Sequence, residues 1–471
     1  MKIRFSLLII ISFIASVCQA QQSWSLQQCI DYALKNNANI QQSKLQVEQA
    51  ESGLEFSKVS LLPSLNASAS NYYNIGRRID LYTNKFADKR VRSDNFSLST
   101  GLTLFNGLQQ YNTIKQSQEN LNAAKLDQES NTQTIILNVV SAYMNVLYAM
   151  DQLQAAQNQI DLSRLQEARN KKLYEAGSVA KTVLLDIQAQ VASEEVSLVN
   201  AQNAVDIAYL NLVLLMDLPS QEGFSIVKPS LDENAINENL SNPETALNFA
   251  YANQPSIKAA DARIKAAYAS YLVAKGGMLP TLSFGASIGT GFSGLASTVT
   301  KMKVDTGIAG FTSSLEPVYN LQYSVAESKT TPYGEQLKNN VNKSFGFQLS
   351  VPIFNGYQVK NQMTRAKINY KNAQYNVAIA KREVNRNVKQ AYADALAAVK
   401  KFKATQKAVD ANQASFENYE TRFNLGVINA FEYNDAKTRL AKAKIDLLQA
   451  KYDYFFRVKI LEFYQGKPIA F

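Results

Sequence analysis

The sequence contains no histidine, and among its 471 residues there are only two cysteines and one tryptophan. Without histidine, neither a Ser-His-Asp triad nor a His-Glu-x-x-His metalloprotease site can form. Two cysteines are too few for a cysteine-rich zinc site or a disulfide framework. The apolar share of 46% is ordinary for a folded chain, so widespread disorder is not expected. Transport, scaffolding and binding therefore rank ahead of catalysis, and we expect no enzyme and no cofactor.

Residues 1–20 have the pattern of a secretory signal peptide. Lys2 and Arg4 precede an apolar run at 7–17, and cleavage is expected after residue 20. A membrane anchor is the alternative, but the run is much shorter than the ~20 residues of a spanning helix. Lipidation at Cys18 is disfavoured by the bulky residue before it.

Cleavage would change the charge and the cysteine content of the chain. The formal net charge is +10, and loss of the two basic residues in the signal peptide would leave +8. Cys29 would then be the single cysteine, so no internal disulfide is possible. No later segment has eighteen consecutive apolar residues, so no transmembrane helix is expected and any membrane insertion must use β-strands.

The remaining sequence is a tandem duplication. The segment LPSL at 62–65 recurs as LPTL at 279–282, a shift of 217, and FNG at 105–107 recurs at 354–356, a shift of 249. The second shift also relates Ala142-Tyr143 to Ala391-Tyr392, Gly177 to Gly426, and Asp186 to Asp435. The change of shift implies one net insertion of 32 residues. We therefore predict a first repeat at 21–217, a connector at 218–242, a second repeat at 243–466 and a tail at 467–471.

Each repeat is predicted to contain a helix, two strands and two further helices. The first helix covers 26–62 or 243–279 and ends before Pro63 or Pro280, because the residue before a proline favours an extended backbone. Alternating apolar positions then predict strands of about ten residues, the length of a membrane-spanning strand. These positions are Leu65, Ala67 and Ala69; Phe96, Leu98, Thr100, Leu102 and Leu104; Leu282, Phe284, Ala286 and Ile288; and Phe345, Phe347, Leu349, Val351 and Ile353.

Long helices with heptad spacing follow each FNG segment, which indicates coiled-coil packing. The first, at 107–176, would span ~105 Å and ends at a glycine that fits a tight helical hairpin. The other two helices of the repeat have a similar combined length. We therefore expect the long helix to pair with two shorter helices stacked end to end.

Four amphipathic strands would leave two unpaired sheet edges, which lipid does not tolerate. Two chains would supply eight strands and three would supply twelve, and the Ser, Asn, Gly and Thr side chains of the polar face suit a water-filled lumen. A soluble coiled-coil scaffold in the periplasm is the alternative from another functional class.

This ordered set of features resembles the TolC-like outer-membrane efflux proteins across roughly residues 22–466. The resemblance implies an α+β membrane protein that forms a homotrimer with a twelve-stranded β-barrel in outer-membrane lipid and a twelve-helix periplasmic tunnel. It also implies an exit duct that works with a periplasmic adaptor and an inner-membrane pump of the RND or ABC type, with no nucleic-acid partner. A duct for type I protein secretion is the alternative within the same class.

The resemblance also implies roles for the hairpin ends and the junctions. The adaptor-contacting tips would be Ala176, Gly177, Ser178 and Val179, together with Leu425, Gly426, Val427 and Ile428. The helix–strand junctions would lie at Pro63, Pro280, Gly107 and Gly356. In a relative, an arginine two residues after the second glycine locks the closed entrance. Here that residue is Ile428, so we expect apolar packing instead.

Acidic residues follow the second hairpin, where the family often has an acidic aperture. Glu432 and Asp435 are three residues apart and so lie on one helix face. Under threefold symmetry each would form a ring of charges that binds cations. The alternative is a purely structural preference for acids near a helix N-terminus. Asp186 is the counterpart of Asp435, whereas Val183 takes the place of Glu432.

The 32-residue insertion enlarges a loop at 293–343 that would face outside the cell. It is either a tolerated surface insertion or a contact site for an external partner such as a phage or a bacteriocin.

Overall fold

The computed structural model describes residues 23–88, 90–229 and 242–467. The predicted signal peptide, residues 230–241 of the predicted connector and the last four residues lie outside the described residues. The chain divides into two compact units. One unit, whose described residues are 23–52, 118–229, 242–265 and 371–467, is mainly helical, and the other, which lies within 53–117 and 266–370, contains the main sheet. Each unit takes segments from both predicted repeats, whose boundaries stay a prediction.

The long helices occur where the heptad pattern predicts them. The helices before the insertion are α1 Leu26–Asn36, α2 Ala38–Val59, α3 Gln109–Glu175, α4 Lys181–Met216, α5 Pro243–Asn253 and α6 Pro255–Gly276. After it come α8 Gln358–Asn424 and α9 Ala430–Tyr464. Both α3 and α8 contain 67 residues, which corresponds to ~100 Å of helix.

The prediction of one continuous first helix in each repeat is wrong, because both are interrupted. In the first repeat, the break is at Asn37, whose Oδ1 accepts hydrogen bonds from the backbone N–H groups of Asn39 (3.0 Å) and Ile40 (3.3 Å). Its Nδ2 donates to the carbonyl oxygen of Leu215 at 2.8 Å. Asn37 thus acts as an N-cap that is held by a distant helix, a relation that local periodicity does not reveal.

The break in the second repeat carries a local signal. Helix α5 ends at Asn253 and α6 begins with Pro255. Proline fits the first position of a helix but lacks the N–H group that a continuous helix needs. This interruption could therefore have been predicted from the sequence.

Three clusters of buried residues lie in the described part of the helical unit, and the smallest joins α8 and α9 around Phe402 and Tyr454. The largest joins α1, the middle of α3 and the end of α4, through Cys29, Ile30, Ala33, Val139, Tyr143, Val146, Leu147, Leu212 and Met216. The remaining cluster joins α5, α6, α8 and α9, through Ala246, Ala250, Ile257, Val384, Val388, Ala395 and Leu461. The two repeats therefore use equivalent helices to build similar cores.

Two helices, α3 and α4, are long and apolar enough to cross a membrane by length and composition alone. A search for uninterrupted apolar runs does not detect these two helices, because neutral polar residues are interspersed among their apolar residues. Core helices share this composition, and both helices bury residues in the largest cluster. Their composition therefore does not assign a membrane span.

The four predicted strands form one antiparallel sheet with the order β10-β7-β5-β2. Their bounds are β2 Ser64–Asn74, β5 Val91–Asn106, β7 Thr281–Ser293 and β10 Asn342–Ser350. Pairing of β5 with β7 joins the two repeats, so β2 and β10 are the edges. The predicted last strand extended to Ile353, but β10 ends earlier, because β7 begins at Thr281 and provides no further partner.

The loop predicted at 293–343 instead contains regular structure. A hairpin is formed by β8 Ser297–Phe311 and β9 Pro317–Thr330, and the short helix α7 Tyr333–Asn339 follows. The Ser, Thr, Lys and Gly content of this segment obscured an alternating pattern that includes Met302, Val304 and Ile308. Two short pairs complete the described strands: β1 Ser23–Trp24 with β6 Ser225–Ile226, and β3 Arg78–Ile79 with β4 Phe86–Ala87.

Candidate functional site

The first helical hairpin is closed by a Schellman motif at Gly177. The Gly177 N–H donates to the carbonyl of Tyr174 at 2.9 Å, and the Ser178 N–H donates to that of Leu173 at 2.8 Å. Gly177 has a φ of 73°, a left-handed conformation that glycine adopts at little cost. No atom lies within 4 Å of a Cβ added there, so the requirement for glycine is conformational.

The second hairpin repeats this geometry at Gly426. The Gly426 N–H donates to Phe423 O at 3.0 Å, the Val427 N–H donates to Arg422 O at 2.9 Å, and φ of Gly426 is 72°. The predicted hairpin turns are therefore confirmed in both repeats. Among the predicted tip residues, Ala176, Gly177, Ser178, Leu425, Gly426 and Val427 are exposed, Val179 is half-buried and Ile428 is buried.

The two hairpin ends lie side by side within the chain. They line a cavity of about 600 Å³ that contains Val179 from the first turn and Ile428 from the second. Leu162, Leu165 and Phe423 add further apolar surface. At the position where a relative has an arginine, this chain therefore has a buried isoleucine packed within the protomer.

Tyr433 connects the two hairpins, and sequence analysis missed it. Its hydroxyl accepts a hydrogen bond from Gln166 Nε2 at 2.5 Å, and its ring stacks on Phe423 at a centroid distance of 4.6 Å. Burial raises the pKa of the Tyr433 hydroxyl above its ordinary value. Arg169 adds a second link by donating to Asn424 Oδ1 at 3.3 Å. The only local sequence signal for this role of Tyr433 is that it is an aromatic residue close to the hairpin glycine Gly426.

A buried ion pair also joins the repeats. Lys437 of α9 is 4% exposed, and its Nζ lies 3.7 Å from Glu194 Oε1 of α4 and 2.5 Å from Ser163 Oγ of α3. Glu194 Oε1 also accepts hydrogen bonds from Gln159 (3.1 Å) and Gln190 (2.8 Å). Burial lowers the pKa of the Lys437 ammonium, while Glu194 raises it in part. Three helices are thereby held by one polar cluster.

The three predicted aperture acids are all exposed. Glu432 lies in the first turn of α9, where its N–H donates to the side chain of the N-cap residue Asn429 at 2.9 Å. Asp435 forms an ion pair with Arg439, one turn along the same helix. The spacing of four residues between Asp435 and Arg439 is a local sequence signal for this ion pair. The ring of charges stays a prediction.

The two strand–helix junctions differ although their sequences match. At Gly107, φ is 66° and an added Cβ would collide with the carbonyl oxygen of Gly276 and with Leu279. At Gly356, φ is 60° but no atom lies within 4 Å of an added Cβ. Pro63 and Pro280 lie between a helix and a strand, as predicted.

Among the residues that the structure describes, no group of three or more Cys, Asp or Glu side chains could hold a metal ion. The contacts at the hairpin ends are packing contacts, hydrogen bonds and the ion pair of Lys437 with Glu194.

Both repeats match a known family. The family model described as "Outer membrane efflux protein" matches residues 29–217 and 246–463. The chain is 24% identical over 457 residues to "Outer membrane protein TolC" of Escherichia coli strain K12, which covers 94% of this chain and 82% of that protein. It is also 24% identical over 443 residues to "Alkaline protease secretion protein AprF" of Pseudomonas aeruginosa, with 92% and 82% covered.

Solved structures share the fold. The outer membrane protein VceC of Vibrio cholerae superposes with a TM-score of 0.73 at 15% identity, covering 94% of this chain and 96% of that chain. The Campylobacter jejuni CmeC outer membrane channel superposes with a TM-score of 0.71 at 18% identity, covering 94% and 85%. The duplicated arrangement of strands and long helices in this chain is therefore a fold that is already observed in outer membrane channels.

Proposed function

The chain belongs to the outer membrane efflux protein family, and we propose that it is the exit duct of a tripartite export system. In this role it conducts substrates passively across the outer membrane, while an inner-membrane pump and a periplasmic adaptor supply the energy and the connection. The observation that carries the proposal is the match of both repeats to the family, together with a sheet that has one apolar and one polar face.

The sheet edges support a trimer. On the edge strand β10, Phe345, Phe347 and Leu349 are 81%, 70% and 65% exposed, and β2 is the other open edge. Such edges require partners in lipid, where no water satisfies the backbone groups. Three copies would close twelve strands into a barrel with the apolar face toward lipid and the polar face toward the lumen.

The duplication predicts how neighbouring copies pair. β5 corresponds to β10 at a shift of 249, and β7 corresponds to β2 at a shift of 217. Because Ser99 of β5 pairs with Ser287 of β7, Gln348 should pair with Ser70 of the next copy. The β5 bulge between Thr103 and Phe105 corresponds to Pro352–Phe354. A bulge is a position where a strand tolerates proline, so the register agrees with the sequence.

Disulfide trapping tests this arrangement. In a Cys29→Ala background, the pair Gln348→Cys and Ser70→Cys should give covalently linked trimers on oxidation. Within one chain these positions are on opposite sheet edges, ~14 Å apart across the strands, and their pairing partners on β7 are eight residues apart along it, so they are too far apart for a disulfide. The pair Gln348→Cys and Asn66→Cys is the matched control and should not crosslink. Equal crosslinking of both pairs would refute the register.

Outer membrane fractionation and bilayer conductance test the function itself. The purified protein should form channels, and it should fractionate with the outer membrane. A protein that is found only in the soluble periplasmic fraction would support the coiled-coil scaffold instead. Failure to conduct, even with Glu432→Ala and Asp435→Ala combined, would contradict the duct.

The aperture acids and the hairpin tips complete the proposal. Exposed Glu432 and Asp435 would bind cations at the periplasmic entrance, although Arg439 neutralises part of this charge. Their replacement by Ala should weaken blockade by divalent cations. The exposed turns at Gly177 and Gly426 would contact the adaptor, and a photocrosslinker at Ser178 or Val427 should capture it. The same crosslinker at Asp206, exposed in the middle of α4, is the control.

Type I protein secretion is the second candidate, because the secretion protein AprF and TolC are each 24% identical to this chain, over 92% and 94% of its length. Copurification with the adaptor discriminates the two functions, since it identifies the associated pump as proton-driven or ATP-driven.

A further inference from the structure

The polar face of the sheet is covered at one end by the chain itself. In the middle of the strands, Ser99 and Ser287 of this face are exposed. Towards the ends of β5 and β7 that lie farther from the helices, Gly291 and Ser293 of the same face are buried, and Ser293 is 0% exposed. A segment of the chain therefore lies over the polar face at this end.

That segment is residues 78–87, in which a turn joins β3 to β4. We call it the inner hairpin. Its turn is closed by the Asp80 N–H, which donates to Lys85 O at 2.9 Å, and by the Asn84 N–H, which donates to Asp80 O at 2.8 Å. Asp80 Oδ1 accepts hydrogen bonds from the N–H and hydroxyl of Thr83, both at 2.9 Å. The turn is thus internally ordered.

Two hydrogen bonds attach the turn to the polar face. The hydroxyl of Ser293 donates to Asp80 Oδ2 at 2.6 Å, and the hydroxyl of Tyr82 donates to Asn95 Oδ1 at 2.5 Å. Burial alone would raise the pKa of Asp80, but the hydrogen bonds that it accepts hold this pKa below its ordinary value. Asp80 is therefore a buried, ionised anchor.

Gly291 provides the space for this contact. A Cβ at this position would overlap the ring and hydroxyl of Tyr82. The backbone of Gly291 is held from the other side, where Asn340 Nδ2 donates to its carbonyl at 2.8 Å. Gln336 of α7 similarly bonds both backbone groups of Ser293, at 2.9 and 3.1 Å. The backbone beneath the inner hairpin is thus held in place by side-chain hydrogen bonds from Gln336 and Asn340.

We propose that the inner hairpin forms a constriction at the outer end of the conduit, with Tyr82 and Thr83 limiting the size of solutes that pass. This inference rests on the proposed function, since the polar face lines water only in the closed barrel. Threefold symmetry would place three such hairpins around one lumen, where side chains of the constriction determine passage.

Size-dependent labelling from outside intact cells tests the constriction. In a Cys29→Ala background, Ser99→Cys places a thiol on the polar face beyond the inner hairpin. A small membrane-impermeant maleimide should label it, whereas a bulky polyethylene-glycol maleimide should react at least about tenfold more slowly. Adding Asp80→Ala and Ser293→Ala should release the hairpin and remove this difference. Gly291→Val should do the same through the Tyr82 contact.

A cysteine at Ser314, in the exposed turn between β8 and β9, is the matched control. It should react with both reagents at equal rates in every variant, which shows that the protein is folded and reaches the cell surface. Absence of labelling at Ser314→Cys would contradict the outer membrane duct itself. Equal labelling of Ser99→Cys by both reagents, with the inner hairpin intact, would overturn the constriction alone.

Discussion

The two repeats share the same order of long helices and main sheet strands but have different surroundings. At the first junction, Gly107 is packed against Gly276 of the same chain, whereas at the second junction Gly356 faces open space. The cause is the strand order, since β5 lies inside the sheet and β10 at its edge. The first repeat therefore buries its junction within the chain, whereas the second repeat leaves the equivalent surface exposed.

The hairpin ends show a second contrast. Their turns have the same Schellman geometry, but only the second repeat places a buried lysine near its hairpin, at Lys437. The equivalent position in the first repeat is Gln188, which is exposed. The two turns therefore share one backbone geometry, although the equivalent side chains near them have different roles.

The largest predicted effect concerns that lysine. Lys437→Met should lower the free energy of unfolding by about 3–5 kcal/mol, because Glu194 would remain as an unpaired buried charge. Gln188→Met is the matched control and should change it by less than about 0.5 kcal/mol. Thermal unfolding in detergent, followed by circular dichroism, measures both. The double variant Lys437→Met and Glu194→Leu should recover most of the loss, and equal effects of the two single variants would remove the contrast.

The next largest effect on stability is expected at the junction glycines, Gly107 and Gly356, where the two repeats should differ. Gly107→Ala should cost about 2–4 kcal/mol, because the left-handed backbone is strained and the new Cβ meets a carbonyl oxygen. Gly356→Ala should cost the isolated chain only about 1–2 kcal/mol, from the backbone alone. In the proposed trimer, the two variants should lose stability equally, because the next copy would fill the space beside Gly356. Heat dissociation of trimers on gels measures this, and an intact Gly356→Ala trimer would argue against the symmetry.

The hairpin glycines should behave alike. Gly177→Ala and Gly426→Ala should each cost about 1 kcal/mol, because both positions need a positive φ and neither is crowded. Asparagine should be tolerated better than alanine at both positions, since it adopts this conformation more readily. Unfolding midpoints of the four variants measure the effect, and a clear difference between the repeats would show that one turn is covered by further structure.

The last contrast has no effect on stability near neutral pH and concerns a matched buried pair, Cys29 in the first repeat and Ala246 in the second, both 0% exposed. Burial raises the pKa of the Cys29 thiol from 9.0 to about 12. The folded protein therefore keeps its proton while the unfolded chain loses it, so stability should fall between about pH 9 and 12. Cys29→Ala should show a smaller fall across this range in unfolding experiments. Rapid maleimide labelling of folded Cys29 near neutral pH would contradict its burial.

Local patterns predicted much of this fold for identifiable reasons. Heptads predicted α3 and α8, alternation predicted the four main strands, and the glycines predicted both hairpins. The interruption at Asn37 was missed, because its partner Leu215 is distant in sequence. The hairpin of β8 and β9 was not predicted, because the many polar residues of this segment obscure the alternation of its apolar residues.

The candidate site was predicted less completely. The glycine turns and their exposure were visible in the sequence, but Tyr433, Gln166 and the pair of Lys437 with Glu194 were not. These groups come from different helices, and their partners are determined only when the helices pack. A buried lysine has no local sequence signature, because the free-energy cost of removing its charge from water is offset by charged groups from elsewhere in the chain.

The sequence by itself determined the duplicated order of helices and strands, since periodicity and glycine conformation act over a few residues. Only the tertiary structure decided that β5 and β7 occupy the middle of the sheet while β2 and β10 remain at its edges. It also decided that the inner hairpin lies on the polar face, through the contact of Asp80 with Ser293. These outcomes depend on pairing between residues some two hundred positions apart, where long-range hydrogen bonds and packing act together.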